Sequence, residues 1–360
     1  MFILMLKIIV RKVFVTVKYF VRPKCIILLL PVILSVLLLW PTVWWCAEET
    51  SLALLPPPPP DQNLDHYRRN RSLQHYMTQI QTLIEPSSAP CASVDEVPVI
   101  ILVSSAPARF EHRMAVRETW ARHQPTYFVL GLSGDDVDEQ LVDTYIEAKQ
   151  YSDMVVFDFR DHYQNLTLKT ALMMRWSLRR CPQAQFLFKT DDDVLVNPWT
   201  LRKVLKENED AQLLGYSKND TYLHRDEYTK WFIPRWLLPQ DQVSRYLSGT
   251  GYLISGDYLG EIFTTAARVP MVNLEDVYFT YLVARQELGL TLTHDWRLSP
   301  YKPWLKMTCL YQDMASIHSF GPEEMIAAWS KIQDLEKNKE AGDCWFFDSF
   351  LKEYSELALF

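Results

Sequence analysis

Three consecutive aspartates, Asp191, Asp192 and Asp193, stand two residues after an apolar run of strand-forming residues at 186–188. Adjacent carboxylates repel one another, and a divalent cation, which prefers oxygen ligands, would relieve that repulsion. In an open α/β sheet, ligands bind beyond the carboxyl ends of the strands. The pattern therefore predicts a metal site at a strand end, and a solvated acidic turn is the simpler alternative.

Two other motifs can be compared with this stretch. An EF-hand loop would need glycine at the position of Val196 and an oxygen ligand near Leu195, so that interpretation fails. A phosphatase-type Asp-x-Asp strand end, with Asp191 as nucleophile and Asp193 as acid, fits better and stays an alternative. Such an enzyme would place this strand first in its domain, whereas three predicted strands precede it.

A metal at a strand end suits a nucleoside diphosphate substrate, because the ion neutralises the charge that develops on a departing diphosphate. Such a reaction needs one further group, a base that takes a proton from the attacking hydroxyl. Glu275 and Asp276, which follow Asn273 at the start of a predicted helix, are the candidates. Their simpler role would be electrostatic stabilisation of that helix N-terminus.

His318 and an arginine pair are further candidates. His318 lies in an apolar segment, where a lone histidine is more often a core residue than a metal ligand. Arg113 and Arg117 lie one helical turn apart, so both could reach a single anion. A solvated helix face is the alternative interpretation for the two arginines.

Strand and helix patterns alternate from residue 97 onward. Strands are predicted at 97–103, 127–132, 154–159 and 186–188, and helices at 109–122, 137–149 and 167–179. The alternation predicts an α/β fold with a mostly parallel sheet and helices on both faces. Because no glycine-rich dinucleotide or P-loop fingerprint occurs, neither a nicotinamide cofactor nor ATP is expected.

The N-terminal region has the pattern of a membrane anchor. Six basic and no acidic residues in 1–24 precede 22 uncharged residues at 25–46, which end in a tryptophan-rich stretch. This pattern predicts a cytoplasmic tail at 1–24 and a transmembrane signal anchor at 25–46. Five prolines at 56–60 and a helical pattern at 64–84 predict a luminal stem over 47–94, and 95–360 is the predicted catalytic domain.

Charge and cysteine usage agree with an exported domain. The whole chain has a formal charge of −7, so about −13 remains once the six positive charges of the tail are set aside, and no nucleic acid partner is expected. An even number of cysteines follows the anchor, which allows two disulfides in three possible pairings. These cysteines are Cys91, Cys181, Cys309 and Cys344. Potential N-glycosylation sites occur at Asn70, Asn165 and Asn219.

Five segments together resemble the β1,3-galactosyltransferase and β1,3-N-acetylglucosaminyltransferase family, in order and spacing. They are residues 113–120 (RMAVRETW), 165–170 (NLTLKT), 188–194 (FKTDDDV), 248–252 (SGTGY) and 275–278 (EDVY). The resemblance covers about residues 97–320. It implies a single nucleotide-sugar-binding domain of the glycosyltransferase A type, anchored in the Golgi membrane with its catalytic domain in the lumen. It also implies an inverting transfer from a UDP-sugar to a glycan on a glycoprotein or glycolipid, with Mn²⁺ or Mg²⁺ as cofactor.

The same resemblance implies a role for individual residues. Asp276 would be the catalytic base, and Asp193, Asp191 and His318 would bind the metal. Donor contacts would come from Arg113, Arg117, Lys189, Asp191 and Asp192. Acceptor contacts would come from Glu275, Trp231, Tyr246, Gly249 and Gly251.

The chain departs from the family pattern at 243–247, at 230–234 and at 279–280, all on the expected acceptor side. The donor chemistry is therefore predicted more firmly than the acceptor. We expect UDP-galactose as donor, with UDP-N-acetylglucosamine as the alternative. A metal-dependent phosphohydrolase and a non-catalytic luminal chaperone or binding protein are the alternatives from other classes, and a binding protein would have no need of a base.

Overall fold

The structure is a computed structural model that describes residues 65–88, 91, 97–132, 137–227, 229–302 and 308–337, together with Ser35. The described residues from 65 onward belong to one compact unit. The predicted tail at 1–24, nearly all of the predicted anchor at 25–46, the prolines at 56–60 and Cys344 lie outside the described residues. No helix within the described ranges is long and apolar enough to cross a bilayer.

Two sheets form among the described residues. The strands are β1 (Thr82–Ile84), β2 (Val97–Ser104), β3 (Thr126–Leu132), β4 (Met154–Arg160), β5 (Ala184–Asp191), β6 (Leu195–Val196), β7 (Leu213–Tyr222), β8 (Gln242–Ser255), β9 (Leu292–His294), β10 (Leu298–Ser299) and β11 (Ser316–Ile317). The large sheet has the order β1-β4-β3-β2-β5-β8-β7-β9, and the small sheet has the order β10-β11-β6.

The large sheet is mixed: four of its pairings are parallel, as predicted, and three are antiparallel. Strands β4, β3, β2 and β5 are parallel, as the strand–helix alternation predicts. Beyond β5 the regular alternation stops, and β8 pairs antiparallel with both β5 and β7. The parallel half presents its carboxyl ends at one edge, and the antiparallel half brings the middle of β8 beside the end of β5.

Helices cover both faces of the large sheet, as expected. They are α1 (Asp65–Arg68), α2 (Leu73–Gln79), α3 (Phe110–Glu118), α4 (Val137–Tyr151), α5 (Leu166–Arg180), α6 (Pro198–Glu207), α7 (Gly256–Ala266), α8 (Thr308–Asp313) and α9 (Pro322–Lys337), with a π-helix at Val277–Glu287. Side chains of β2 alternate between two buried cores: Ile100 and Leu102 pack with α5, α7 and the π-helix, whereas Ile101 and Val103 pack with α3, α6 and α9.

Part of the predicted stem packs on this unit. The pattern at 64–84 predicts one helix, but the segment forms α1, α2 and then β1, which pairs antiparallel with β4. Leu73 is fully buried in a core, and a disulfide joins Cys91 to Cys181 at the end of α5. Described residues of the predicted stem therefore pack against the residues that follow them, and the predicted domain boundary near residue 95 stays a prediction.

Candidate active site

The three aspartates lie at the end of the central strand β5, whose last residue is Asp191, and their carboxylates face different surroundings. Asp191 pairs in parallel register with Ser104 of β2, which places it at the carboxyl edge of the sheet. The backbone N–H of Asp192 donates to the Ser104 carbonyl, and the chain then turns into β6. One short loop therefore supplies a partly exposed carboxylate, a buried carboxylate and a third that faces His318.

Asp192 does not belong to the lining of the main cavity, and its predicted donor contact stays a prediction. Its side chain is 4% exposed and accepts hydrogen bonds from Ser105 Oγ at 2.7 Å and Arg109 Nε at 2.7 Å. Both partners belong to the loop after β2. The Asp192 carboxylate therefore fixes the aspartate loop to its neighbour, and both of its oxygens accept hydrogen bonds there.

Arg113 and Arg117 do reach one anion, which is Glu147 of α4, and their predicted donor contacts stay a prediction. Arg113 is 1% exposed and lies 2.6 Å from a Glu147 oxygen, and Arg117 lies 2.7 Å from the other. Arg117 also pairs with Asp153 at 2.7 Å. Arg113 in addition donates to Ser105 Oγ at 3.1 Å, so it supports the same loop as Asp192.

The small sheet brings His318 to Asp193. Strand β11 pairs antiparallel with β6, and the N–H of Phe320 donates to the carbonyl of Asp193. His318 Nε2 consequently lies 3.5 Å from Asp193 Oδ1, while Nδ1 is 2.8 Å from Ser319 Oγ. Ser319 adopts φ 74°, an unusual conformation for serine.

This pair fits a divalent cation. Asp193 Oδ1 is buried and has no hydrogen-bond partner among the described residues. Burial and the nearby Asp191 raise the pKa of Asp193, although His318 opposes them. If Nδ1 donates to Ser319, the Nε2 lone pair faces the space beside Asp193. Across the described part of the chain no three potential ligands form a metal-binding group, so a cation here would also need oxygens from substrate or water.

Lys189 and Glu275 form a buried pair between the aspartate loop and the π-helix. The Lys189 ammonium lies 3.0 Å from Asp191 and 3.0 Å from Glu275, and it donates to the Gly249 carbonyl at 2.6 Å. The other Glu275 oxygen accepts from Tyr252 OH at 2.9 Å. Burial raises the pKa of Glu275 to about 7, although Lys189 opposes the shift. Glu275 borders the cavity but is only 5% exposed. Its main contact is the ion pair with Lys189, and little of its surface is open to an acceptor.

Asp276 caps the π-helix and faces the cavity. Its Oδ1 accepts from the N–H of Val277 at 2.8 Å, and its Oδ2 accepts from the N–H of Gly249 at 3.0 Å. Burial raises the pKa of Asp276, and these hydrogen bonds, with Lys218 and Lys189, oppose the rise. A Cβ at residue 249 would lie 3.1 Å from Asp276 Oδ2, so glycine permits the close approach. The arrangement gives an ionisable, oriented carboxylate, as a base requires.

A cavity of about 250 Å³ joins most of the predicted site residues. Its lining includes Lys189, Asp191, Trp231, Gly249, Glu275, Asp276 and His318. Tyr246 lines a second cavity, of about 230 Å³, with Trp231 and Asp276. Gly251 lies in neither lining: a Cβ there would meet the Phe188 ring at 3.1 Å, so this glycine serves strand packing.

Several lining residues have no signal in the sequence. Tyr163, Lys218 and Tyr301 come from a 3₁₀ turn, from β7 and from the segment after β10. Only tertiary structure brings these distant segments together. Lys230, in contrast, lies beside Trp231 in the segment 230–234, which departs from the family pattern.

A family model described as Galactosyltransferase matches residues 111–294, about half of the chain and all of β5 to β9. The chain belongs to the galactosyltransferase family. Beta-1,3-galactosyltransferase 5 of Mus musculus is 32% identical over 68% of this chain and 81% of its own length. Beta-1,3-galactosyltransferase 1 of Homo sapiens is 35% identical over 65% of this chain and 73% of its own length. Membership confirms the resemblance and the prediction of a transferase enzyme.

Solved structures resemble this galactosyltransferase family member only distantly. The galactosyltransferase LgtC, in complex with donor and acceptor sugar analogs, covers 69% of this chain at 11% identity and a TM-score of 0.34. A glycosyltransferase involved in the glycosylation of the major capsid of PBCV-1 covers 64% at 13% identity and a TM-score of 0.35. The family assignment therefore rests on the sequence relatives and the family model.

Proposed function

We propose that this enzyme transfers galactose from UDP-galactose to the 3-hydroxyl of a glycan acceptor, with inversion, to give a β linkage. The names of the relatives support the sugar and the linkage. The observation that carries the proposal is a single cavity lined by Asp191 and His318 on one side and by Asp276 on another. A donor diphosphate beside the first two groups would present its sugar to an acceptor hydroxyl beside the third.

Each group then has one role. Asp276 accepts the proton of the acceptor hydroxyl as that oxygen attacks the sugar carbon, and the N–H groups of Val277 and Gly249 hold its carboxylate in position. Asp193 and His318, with Asp191 nearby, would hold Mn²⁺ or Mg²⁺, and the bound ion would offset the charge of the departing UDP. Lys189 keeps Asp191 oriented through its 3.0 Å ion pair.

We further propose that the enzyme is a type II Golgi membrane protein of the glycosyltransferase A type, anchored through residues 25–46. The uncharged stretch behind a basic tail supports the anchor and its orientation. The Cys91–Cys181 disulfide supports an oxidising compartment for the catalytic unit. The membrane is then a partner of the N-terminal segment alone, and the substrates are the other partners.

The test uses the full-length chain purified in detergent. It is incubated with UDP-galactose, UDP-N-acetylglucosamine or UDP-N-acetylgalactosamine and a panel of glycan acceptors, with Mn²⁺, with Mg²⁺ or with a chelator. We expect transfer from UDP-galactose in the presence of metal and a β1,3 linkage in the product by NMR. Transfer from UDP-N-acetylglucosamine alone would replace the proposed donor. Hydrolysis of UDP-galactose with no acceptor product would overturn the proposal.

A further inference from the structure

The two cavities share a wall, and the proposed base belongs to it. Lys218, Trp231, Leu274 and Asp276 line both the first cavity and the second. Asp191 and His318 line only the first of these two cavities. A diphosphate held beside those two groups leaves the second cavity free. An acceptor in the second cavity would meet the donor sugar at Asp276.

The second cavity has aromatic walls that suit a sugar. Trp231 is 45% exposed and Tyr222 is 71% exposed, although large aromatic side chains are usually buried. The His224 ring lies 5.3 Å from that of Trp231 and also borders the cavity. Exposed ring faces of this kind can stack on the apolar face of a pyranose, so the second cavity is suited to an acceptor glycan.

Lys218 gives this aromatic cavity a positive charge. It lies on β7 opposite Tyr246 of β8 and is partly buried. Among the described residues its ammonium forms no ion pair with a carboxylate, and it lies 5.9 Å from the ring of Tyr301. Within the described ranges, Asp276 is the only acidic residue in the lining of the second cavity. Asp276 interacts with this ammonium electrostatically, but among the described residues no carboxylate contacts it directly, so a ligand anion in direct contact would stabilise the partly buried charge.

We propose that the acceptor carries an anionic substituent, a carboxylate or a sulfate, which pairs with Lys218 while the acceptor hydroxyl faces Asp276. This inference rests on the proposed function, since it names the acceptor of the same site. It also assigns two side chains to different substrates. His318, with Asp193, serves the donor, and Lys218, which borders both cavities, serves the acceptor.

The experiment compares Lys218→Met with wild type, because methionine keeps much of the side-chain volume and removes the charge. Lys203→Met is the matched control, since Lys203 is exposed on α6 and lines neither cavity. The acceptors are p-nitrophenyl N-acetyl-β-glucosaminide, its 6-O-sulfate and p-nitrophenyl β-glucuronide. Steady-state transfer and acceptor binding by saturation-transfer NMR in the presence of UDP are both measured on the full chain.

We expect wild type to bind one anionic acceptor more tightly than the neutral one. Lys218→Met should raise KM for that acceptor at least tenfold more than KM for the neutral one, whereas Lys203→Met should change neither. Whichever anionic acceptor binds more tightly shows whether the site prefers a sulfate or a carboxylate.

Three results would overturn the inference. Wild type could bind all three acceptors equally well. Lys218→Met could raise KM for the donor regardless of acceptor, which would assign Lys218 to the diphosphate. The variant could also lower kcat equally for all acceptors with a shifted pH profile, which would make Lys218 a group that only tunes Asp276. If wild type transfers sugar to none of the acceptors but still binds one anionic acceptor selectively, the proposed reaction is wrong. The anion site would then still stand.

Discussion

The Lys189 ammonium lies 3.0 Å from Asp191 on one side and 3.0 Å from Glu275 on the other. Asp191 belongs to the aspartate loop, and Glu275 precedes the proposed base Asp276 in the chain. Although burial opposes it, Asp191 and Glu275 raise the pKa of Lys189, so the bridge stays charged at neutral pH. One buried lysine therefore connects the metal side of the site to the base side.

Asp276→Asn should lower kcat by at least about 10²-fold, because the amide keeps the shape of the side chain and loses its basicity. UDP affinity, measured by calorimetry, should be retained. The matched control is Asp257→Asn, an exposed carboxylate in the first turn of α7 that lines neither cavity. If turnover of Asp276→Asn equals that of the control, Asp276 only stabilises its helix and Glu275 is the next candidate for the base.

Asp193→Ala should reduce transfer far more than tenfold. A tenfold loss alone corresponds to a rise of about 1.4 kcal/mol in the activation barrier. The protein should still fold, because the side chain lies in a polar site outside the apolar cores. Mn²⁺ binding, followed by the electron paramagnetic resonance signal of the free ion, should weaken in parallel. Asp210→Ala, in the exposed turn after α6, should leave both quantities unchanged. Full Mn²⁺ binding by Asp193→Ala would show that Asp193 is no metal ligand.

Gly249→Ala should lower kcat at least tenfold, since the new methyl would lie 3.0 Å from Glu275 Oε1 and 3.1 Å from Asp276 Oδ2 and displace both carboxylates. Gly260→Ala is the control, because its methyl would meet only Leu178, at 3.8 Å. In the helical context of α7 that change should be neutral or stabilising, by up to about 1 kcal/mol. Equal activity of the two variants would show that Asp276 tolerates movement.

Titration of Glu275 should make the free energy of unfolding depend on pH. Its pKa is raised from 4.5 to about 7, so between these values the folded state binds the proton that the unfolded state releases. The stabilisation is complete below about pH 4.5 and is lost as the pH rises through 7. The melting temperature of wild type relative to Glu275→Gln should therefore fall between about pH 5 and about pH 7.5, as measured by differential scanning fluorimetry. A rise or no change would show that Lys189 keeps Glu275 ionised throughout this range.

Glycosylation should distinguish the three potential acceptor asparagines. Asn70 and Asn219 are exposed, whereas the Asn165 amide donates to the Arg160 carbonyl at 2.7 Å and its oxygen accepts from Arg69. Glycosidase treatment of the cellular protein should increase its gel mobility, and replacement of Asn70 and Asn219 together should abolish the shift. A protein without any such shift would argue against the proposed luminal location.

The sequence predicts the parallel half of the fold well, because the strand and helix periodicities there are local. It also identifies Asp191, Asp193 and Asp276 as candidates, since each stands in a recognisable motif, whereas His318 is a candidate only through the family resemblance. It does not reveal that Asp192 and Arg113 meet at Ser105, or that Glu147 of α4 is the anion between Arg113 and Arg117. Motif identity marks a residue as part of the site, but only tertiary structure separates ligand contacts from the residues that hold them.

The antiparallel half shows the same limit. Nothing in the local pattern of β7 indicates that Lys218 and Tyr301 border one cavity, because a strand and a distant loop contribute them. The mixed pairing of β8 likewise depends on contacts with β5 and β7 that lie far apart in the chain. These contacts form the cavity that we propose for the acceptor.

Pairing within the small sheet of β6, β10 and β11 determines when the proposed metal site is completed during synthesis of the chain. Asp193 and its β6 strand leave the ribosome long before β11 and His318 do, and pairing of β11 with β6 brings the histidine into place. A nascent chain that stops short of this pairing therefore has the proposed base and the aspartates but lacks the histidine. Premature termination upstream of His318 would thus release a chain without one of the two side chains proposed to hold the cation.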